Sequence, residues 1–166
     1  MVAEALPYPD AGALDRAAEL IAAAQYPVLV VGLQCHDAAG WLRALAESVP
    51  APVLTTEKAK GIFPDPHPLV LGLFPGGVIE ETVLSRADLL VVMGVDPAEM
   101  IPTMWRYPAP VIRLARTPHP GDSCVPLVEV IGEIGLIVEE LAPRLRRKTQ
   151  ANWDVALIDR LKRGRI

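Results

Sequence analysis

Four short runs, PVLVVG (27–32), APVLTT (51–56), ADLLVVMG (87–94) and APVIRLA (109–115), are apolar almost from end to end and bounded by proline, glycine or charged residues. Each is too short for a buried helix, and a strand with no polar alternate face has to be covered on both sides. Strands of that kind belong to parallel sheets, because right-handed crossovers place helices on both faces. The intervening segments supply those helices. Leu14, Ala17, Ala18 and Ile21 keep the spacing of one buried stripe within 11–24, and Pro27 ends that helix. Ala38, Trp41, Leu42, Leu45 and Val49 repeat the pattern, with Asp37 placed to cap it. A short helix near 78–85, a weaker strand in CVPLVEV (124–130) and a helix over 131–142 through Ile131, Ile134, Val138 and Leu141 complete the series. The expectation is an α/β, Rossmann-like three-layer domain, with a parallel sheet of five or six strands and helices on both faces.

The domain is placed at 1–145, and 146–166 reads as a linker followed by a terminal helix. In that helix Trp153, Leu157 and Leu161 form an apolar stripe with too little chain left to cover it, so it is expected to lean on something outside the core. The tail is also basic. Residues 143–166 hold 8 bases and 2 acids, against 8 bases and 18 acids in 1–142. Without an interleaved aromatic series or a nucleic-acid module, that charge reads as a solvated face, and nucleic acid is excluded as a partner. No apolar run approaches the roughly 18 residues of a membrane span, and the N-terminus lacks a basic segment followed by an apolar one. A cytoplasmic protein with no membrane partner is expected. Cys35 and Cys124 are too few for a disulfide framework and too far apart for a CxxC site, so both are read as buried thiols.

Ligands of an open parallel sheet bind beyond the carboxyl ends of its strands. The loops at that rim are GLQCHD (32–37), TTEKAKG (55–61), LGLFPGG (71–77), MGVDPAE (93–99) and ARTPHPG (115–121). They supply the candidate cofactor-binding residues Gly32, Gln34, Thr56, Lys60, Gly61, Gly72, Gly94 and Arg116. The first loop has one glycine where a dinucleotide fingerprint has three, so a classical NAD site is not expected and Gly32 reads first as a plain strand-to-helix turn. Thr55, Thr56, Lys58, Lys60 and Gly61 combine hydroxyls, cations and a flexible backbone suited to a phosphate or a flavin ribityl chain; a solvated surface loop is the competing reading.

Catalytic and metal-ligating residues are not found. His36, His67 and His119 stand in separate loops without HxxxH or HxH spacing, and no GxSxG elbow occurs. Cys35 and His36 are chain neighbours that point apart. Glu80-Glu81 and Glu139-Glu140 fall on helical patterns and read as solvated faces.

The order of the pieces is more specific than any one of them. AELIAAAQYPVLVVG, WLRALAESVPAPVLTTEKAKGIFPDPHPLVLG, VLSRADLLVVMGVD and APVIRLA, in that succession, resemble the central domain of thiamine-diphosphate-dependent enzymes of the acetolactate synthase and pyruvate oxidase type. The resemblance covers about 11–145 and is most specific in 50–72 and 86–94. It implies a central, non-catalytic, nucleotide-binding-like domain. The parent enzyme would be a transferase or lyase that decarboxylates a 2-keto acid and transfers the resulting carbanion. Its partners are then the missing flanking thiamine-binding domains, which hold thiamine diphosphate and magnesium, in a homo-oligomer. The helix at Trp153 becomes an exit toward a missing domain, and the fragment alone is inactive; no GDG metal string occurs in it.

The same resemblance offers FAD or ADP as occupants of the central cleft. FAD-carrying members have a glycine-rich first loop, an arginine after the "lG" strand and a D-x-D after the next one. Here those places read Leu33-Gln34, Asp96 and Ala115-Arg116-Thr117. Asp96 would repel a pyrophosphate, so FAD is disfavoured, whereas Arg116 suits the phosphate of ADP or coenzyme A. The alternative is a stand-alone nucleotide-binding accessory subunit, like the small subunit of carbon monoxide dehydrogenase/acetyl-CoA synthase or a flavoprotein domain.

Overall fold

The computed structural model describes residues 6–63, 67–75, 79–96, 99, 107–118, 125–145 and 151–163. Helix α1 (Ala11–Ala23) starts at Asp10, whose carboxylate accepts the Ala13 N–H at 2.8 Å. Strand β1 (Pro27–Val31) follows, then a 3-10 turn (Leu33–Ala38) that runs into helix α2 (Ala39–Ser48). Strands β2 (Val53–Thr55), β3 (Val70–Leu73), β4 (Leu89–Met93), β5 (Val111–Ala115) and β6 (Val128–Ile131) complete one six-stranded parallel sheet, ordered β3-β2-β1-β4-β5-β6. Helix α3 (Glu80–Leu84) precedes β4, and α4 (Ile134–Leu141) follows β6.

The sheet is the Rossmann-like α/β arrangement expected from the apolar runs. It grows outward from β1 to β3, then returns to the other flank of β1 and grows outward again. Strand order therefore reverses between β1 and β4, which is where such folds open a crevice.

Residues of each strand alternate between two packed layers. Leu29, Val31, Val53, Val91 and Ile112 join α1, α2 and α4 through Leu14, Ile21, Leu42, Leu45, Ile134 and Ile137. Val28, Val30, Leu54, Leu90 and Val111 point the other way, toward Val83 and Leu84 of α3. Arg113 is the one charged residue inside an apolar run, yet it is buried. Its guanidinium donates to Glu129 Oε2 on the register partner in β6 at 3.1 Å and to the Thr117 carbonyl at 2.6 Å.

Several local expectations change. Strand β3, the additional strand, takes in the start of LGLFPGG, which the sequence places among the rim loops; it is four residues long, at the sheet edge, and its register to β2 shifts between Val70 and Gly72. Asp37 lies inside the 3-10 turn, and α2 begins without a side-chain cap. Trp41 leaves the stripe and is 44% exposed. Ile131 ends β6 rather than starting the last helix. Glu80 is buried, not solvated, and accepts the Tyr107 hydroxyl at 2.5 Å. Cys35 is buried as expected; Cys124 and His119 lie outside the described residues.

The terminal helix α5 (Val155–Lys162) and the residues before it differ most. Instead of leaning outside the core, Trp153 and Ile158 pack into the second layer. The Trp153 indole N–H donates to the Pro27 carbonyl at 2.9 Å, and its ring meets Tyr26 edge-on at 5.5 Å. Asn152 N–H reaches the Gln25 carbonyl at 2.7 Å. Helix α3 has only five residues and cannot cover the Val28/Val30 face, so the returning chain does. The Leu161 side chain lies outside the described part. Replacing Trp153 with alanine is expected to cost about 3–5 kcal/mol, the usual loss for a buried tryptophan. Urea unfolding should show a lower midpoint with an unchanged slope; an unchanged midpoint would mean that this residue is dispensable to the core.

Candidate functional site: the rim between the two central strands

The carboxyl ends of β1 and β4 come unusually close. A Cβ on Gly32 would lie 2.4 Å from Val95 Cα and 2.6 Å from the Gly94 carbonyl oxygen, so only glycine permits this approach. Gly94 has φ +62°, and a Cβ there would sit 2.6 Å from Cys35 Sγ. The two loops are laced together by backbone. Gly32 N–H donates to the Met93 carbonyl and Gln34 N–H to the Gly94 carbonyl, each at 2.9 Å. Arg116 N–H, after β5, donates to Gln34 Oε1 at 3.1 Å.

Glu99 closes the rim. Its Oε1 accepts the Leu33 N–H at 2.8 Å and the Asp96 N–H at 2.9 Å, while Oε2 accepts the Thr56 hydroxyl. One carboxylate thus collects donors from the ends of β1, β4 and β2. An open cleft of about 280 Å³ lies beside it, lined by Thr56, Glu57, Lys58, Leu73, Phe74, Pro75 and Glu99.

Of the candidate residues, Gly32, Gln34, Gly94, Arg116 and Thr56 are brought together here. Lys60 and Gly61 are not: both are exposed on a turn where Lys60 pairs with Glu57 at 3.4 Å and Gly61 takes φ +95°. Gly72 lies within β3, facing Ile79. His36 Nε2 donates to the Lys58 carbonyl at 2.7 Å, tying the loop after β1 to the loop after β2. His67 is buried beside Phe63, 3.1 Å from Glu47. Among the described residues no three His, Cys, Asp or Glu side chains form a metal-binding group. Glu99 itself was not singled out. Its signal was the D-x-x-E spacing of Asp96 and Glu99, the pattern of a reciprocal capping pair. The structure shows one half of that pair, Asp96 N–H donating to Glu99 Oε1, while the Glu99 N–H closes a backbone turn onto the Asp96 carbonyl at 2.8 Å.

Residues 14–141 match the family profile described as thiamine pyrophosphate enzyme, central domain. The chain belongs to this family. An acetolactate synthase of Mycobacterium bovis is 33% identical over 146 residues, covering 83% of this chain and 24% of that protein. A sulfoacetaldehyde acetyltransferase of Rhodobacter capsulatus is 34% identical over 150 residues, covering 84% of this chain and 25% of that protein. The X-ray structure of a candidate thiamin diphosphate-dependent enzyme from Mycobacterium smegmatis superposes with a TM-score of 0.69 at 28% identity, covering 87% of this chain and 29% of that one. The chain therefore spans about a quarter of the length of these curated relatives. The accessory-subunit alternative receives no support from them.

At this rim the Cys35 thiol is buried and held protonated. Burial pushes the Cys35 thiol up to about 12, and the Glu99 charge adds to that, against a lowering hydrogen bond at Gly32. The thiol donates to the Met93 carbonyl at 3.1 Å. Because the folded value lies above the unfolded one, this group's contribution to stability is full below about 9 and is lost as pH rises toward about 12. Native protein at pH 8 should leave Cys35 unmodified by iodoacetamide, with peptide mapping separating it from Cys124, and denatured protein should modify it fully. Labelling of the native Cys35 peptide would contradict the burial.

Gly32→Ala should cost about 1–3 kcal/mol from overpacking against backbone. A calorimetric Tm should fall by roughly 2–4 °C per kcal/mol. Gly40→Ala is the control, since nothing lies within 4 Å of its added Cβ. Equal melting of the two variants would remove the close-approach argument.

Proposed function

We propose that this chain works as the non-catalytic central domain of an acetolactate synthase-like enzyme that decarboxylates a 2-keto acid and passes the remaining carbon unit to an acceptor. The observation that carries the reading is the match over residues 14–141 to the central-domain family, on a Rossmann-like sheet. In this reading the flanking thiamine-binding domains supply thiamine diphosphate and its magnesium, the whole assembles as a homo-oligomer, and it works in the cytoplasm. Among the described residues no helix is long and apolar enough to cross a membrane.

The cofactor itself does not fit the rim. The Glu99 carboxylate is committed to Leu33, Asp96 and Thr56, and Cys35 is held as a thiol. Neither is available to ligate magnesium or to act as an acid or base. Gly32, Gln34, Thr56, Gly94 and Arg116 serve in this reading as the frame of the crevice. The domain's task is then positional: it holds its neighbours at a fixed separation with a rigid sheet.

The purified 166-residue chain, supplied with thiamine diphosphate, magnesium and pyruvate, should release no carbon dioxide above the protein-free mixture. Sequencing the reading frame on either side should reveal thiamine-binding segments. Turnover by the isolated chain would overturn the reading, and so would flanking sequence of an unrelated class.

A further inference from the structure

A Rossmann-like sheet offers its rim donors to the phosphates of a nucleotide, at the point where strand order reverses. In this chain the donors at that point already have an anion. Leu33 N–H and Asp96 N–H come from the two loops that flank the reversal, and both meet Glu99 Oε1, at 2.8 and 2.9 Å. The Thr56 hydroxyl, one strand further along, is taken by Glu99 Oε2. The space over Gly32, where a glycine admits close approach of a ligand to backbone, holds Val95 Cα, the Gly94 carbonyl and Glu99 Oε1 at 2.4, 2.6 and 2.8 Å from a would-be Cβ.

A capping pair alone does not explain this arrangement. It accounts for the contacts between Asp96 and Glu99, but not for Leu33 or Thr56, which lie 66 and 43 residues away in the chain. A glutamate needed only to cap its own turn has no reason to reach donors on two other strands. Rim N–H groups without a ligand need water or a protein acceptor, and for the exposed Leu33 and the half-buried Asp96 that acceptor is Glu99.

We propose that the rim where the loops after β1, β4 and β2 meet, beside the cleft lined by Thr56 and Phe74, is an anion site filled in cis: Glu99 stands where a nucleotide diphosphate would, and excludes one both by occupying its donors and by like charge. The FAD or ADP that the family would suggest does not fit while that carboxylate is in place. Removing it converts the crevice into a site for a phosphate group. This inference concerns the crevice alone and stands whether or not the parent enzyme acts on 2-keto acids.

The test uses ADP and FAD as probes. Isothermal titration of the wild-type chain should show no saturable heat with either. Glu99→Ala, with folding confirmed by circular dichroism, should bind ADP at least about tenfold more tightly than wild type. In that variant the Leu33 and Asp96 amide resonances should shift as ADP is added. Wild-type protein that saturates at one ADP or FAD per chain with shifts at those two amides would overturn the proposal. A folded Glu99→Ala variant that gains no ADP binding would overturn it as well. If that variant fails to fold, wild-type amide exchange decides. The Leu33 and Asp96 protons should exchange at least about a hundredfold slower than unprotected amides, and fast exchange at either one overturns the closure.

Discussion

The pairing of β1 with β4 is the join on which the rest of the sheet depends, because each half of the domain is built outward from it. Both ends of the join are closed by carboxylates. At the amino end Asp88 accepts the Gln25 N–H at 2.8 Å and the Tyr26 N–H at 2.7 Å, and its own N–H returns to the Tyr26 carbonyl. At the carboxyl end Glu99 does the same for Leu33 and Asp96. These bonds sit largely at exposed positions, where water competes for the donors and reduces their net contribution. Their larger effect is geometric: the loops leaving the strands cannot splay, so the Leu29↔Val91 register is held from both sides. The Trp153 segment then seals the amino end by bonding to Gln25 and Pro27.

What could be read from the sequence was whatever local periodicity dictates. PVLVV and LLVVM have no polar face to offer water, so a doubly covered parallel strand was the only economical fold for them. Strand β3 was not legible, because an edge strand needs only one partner and its four residues include a glycine. Glu80 looked solvated by the helical pattern alone; in the fold it is buried and accepts the hydroxyl of Tyr107, a residue from a distant part of the chain. Trp153 was legible as apolar but not as inward-facing, since the uncovered Val28/Val30 face belongs to a strand more than a hundred residues earlier. The rim followed the same division. Gly32, Gln34, Gly94 and Arg116 were found because they follow strands, whereas Glu99 needed knowledge of which loops meet.

Family membership and site chemistry are separable in this fold. A Rossmann-like sheet needs its apolar strands and the close glycine approach at Gly32, and neither depends on what sits at the rim. Once the rim donors find an internal acceptor, the sheet no longer requires a nucleotide to satisfy them. The silencing of Cys35 belongs to the same arrangement. Gly94 lets its chain pass within reach of the Cys35 sulfur, and the thiol is used as a donor to Met93 rather than kept as a reactive group.

The strength of the closure follows from what an entering nucleotide would face. A phosphate charge about 5 Å from the Glu99 carboxylate, at the effective dielectric of about 20 that suits protein sites, is repelled by roughly 3 kcal/mol. A diphosphate carries more than one such charge. It would also have to replace the Leu33, Asp96 and Thr56 contacts rather than add to them, so the donors yield little net gain on exchange. Moving the Glu99 side chain aside would leave the Leu33, Asp96 and Thr56 donors without their carboxylate acceptor, so displacement carries its own cost. Repulsion and loss of donors both come from the one Glu99 carboxylate, which is why a single side chain can decide whether an anion is held at this rim.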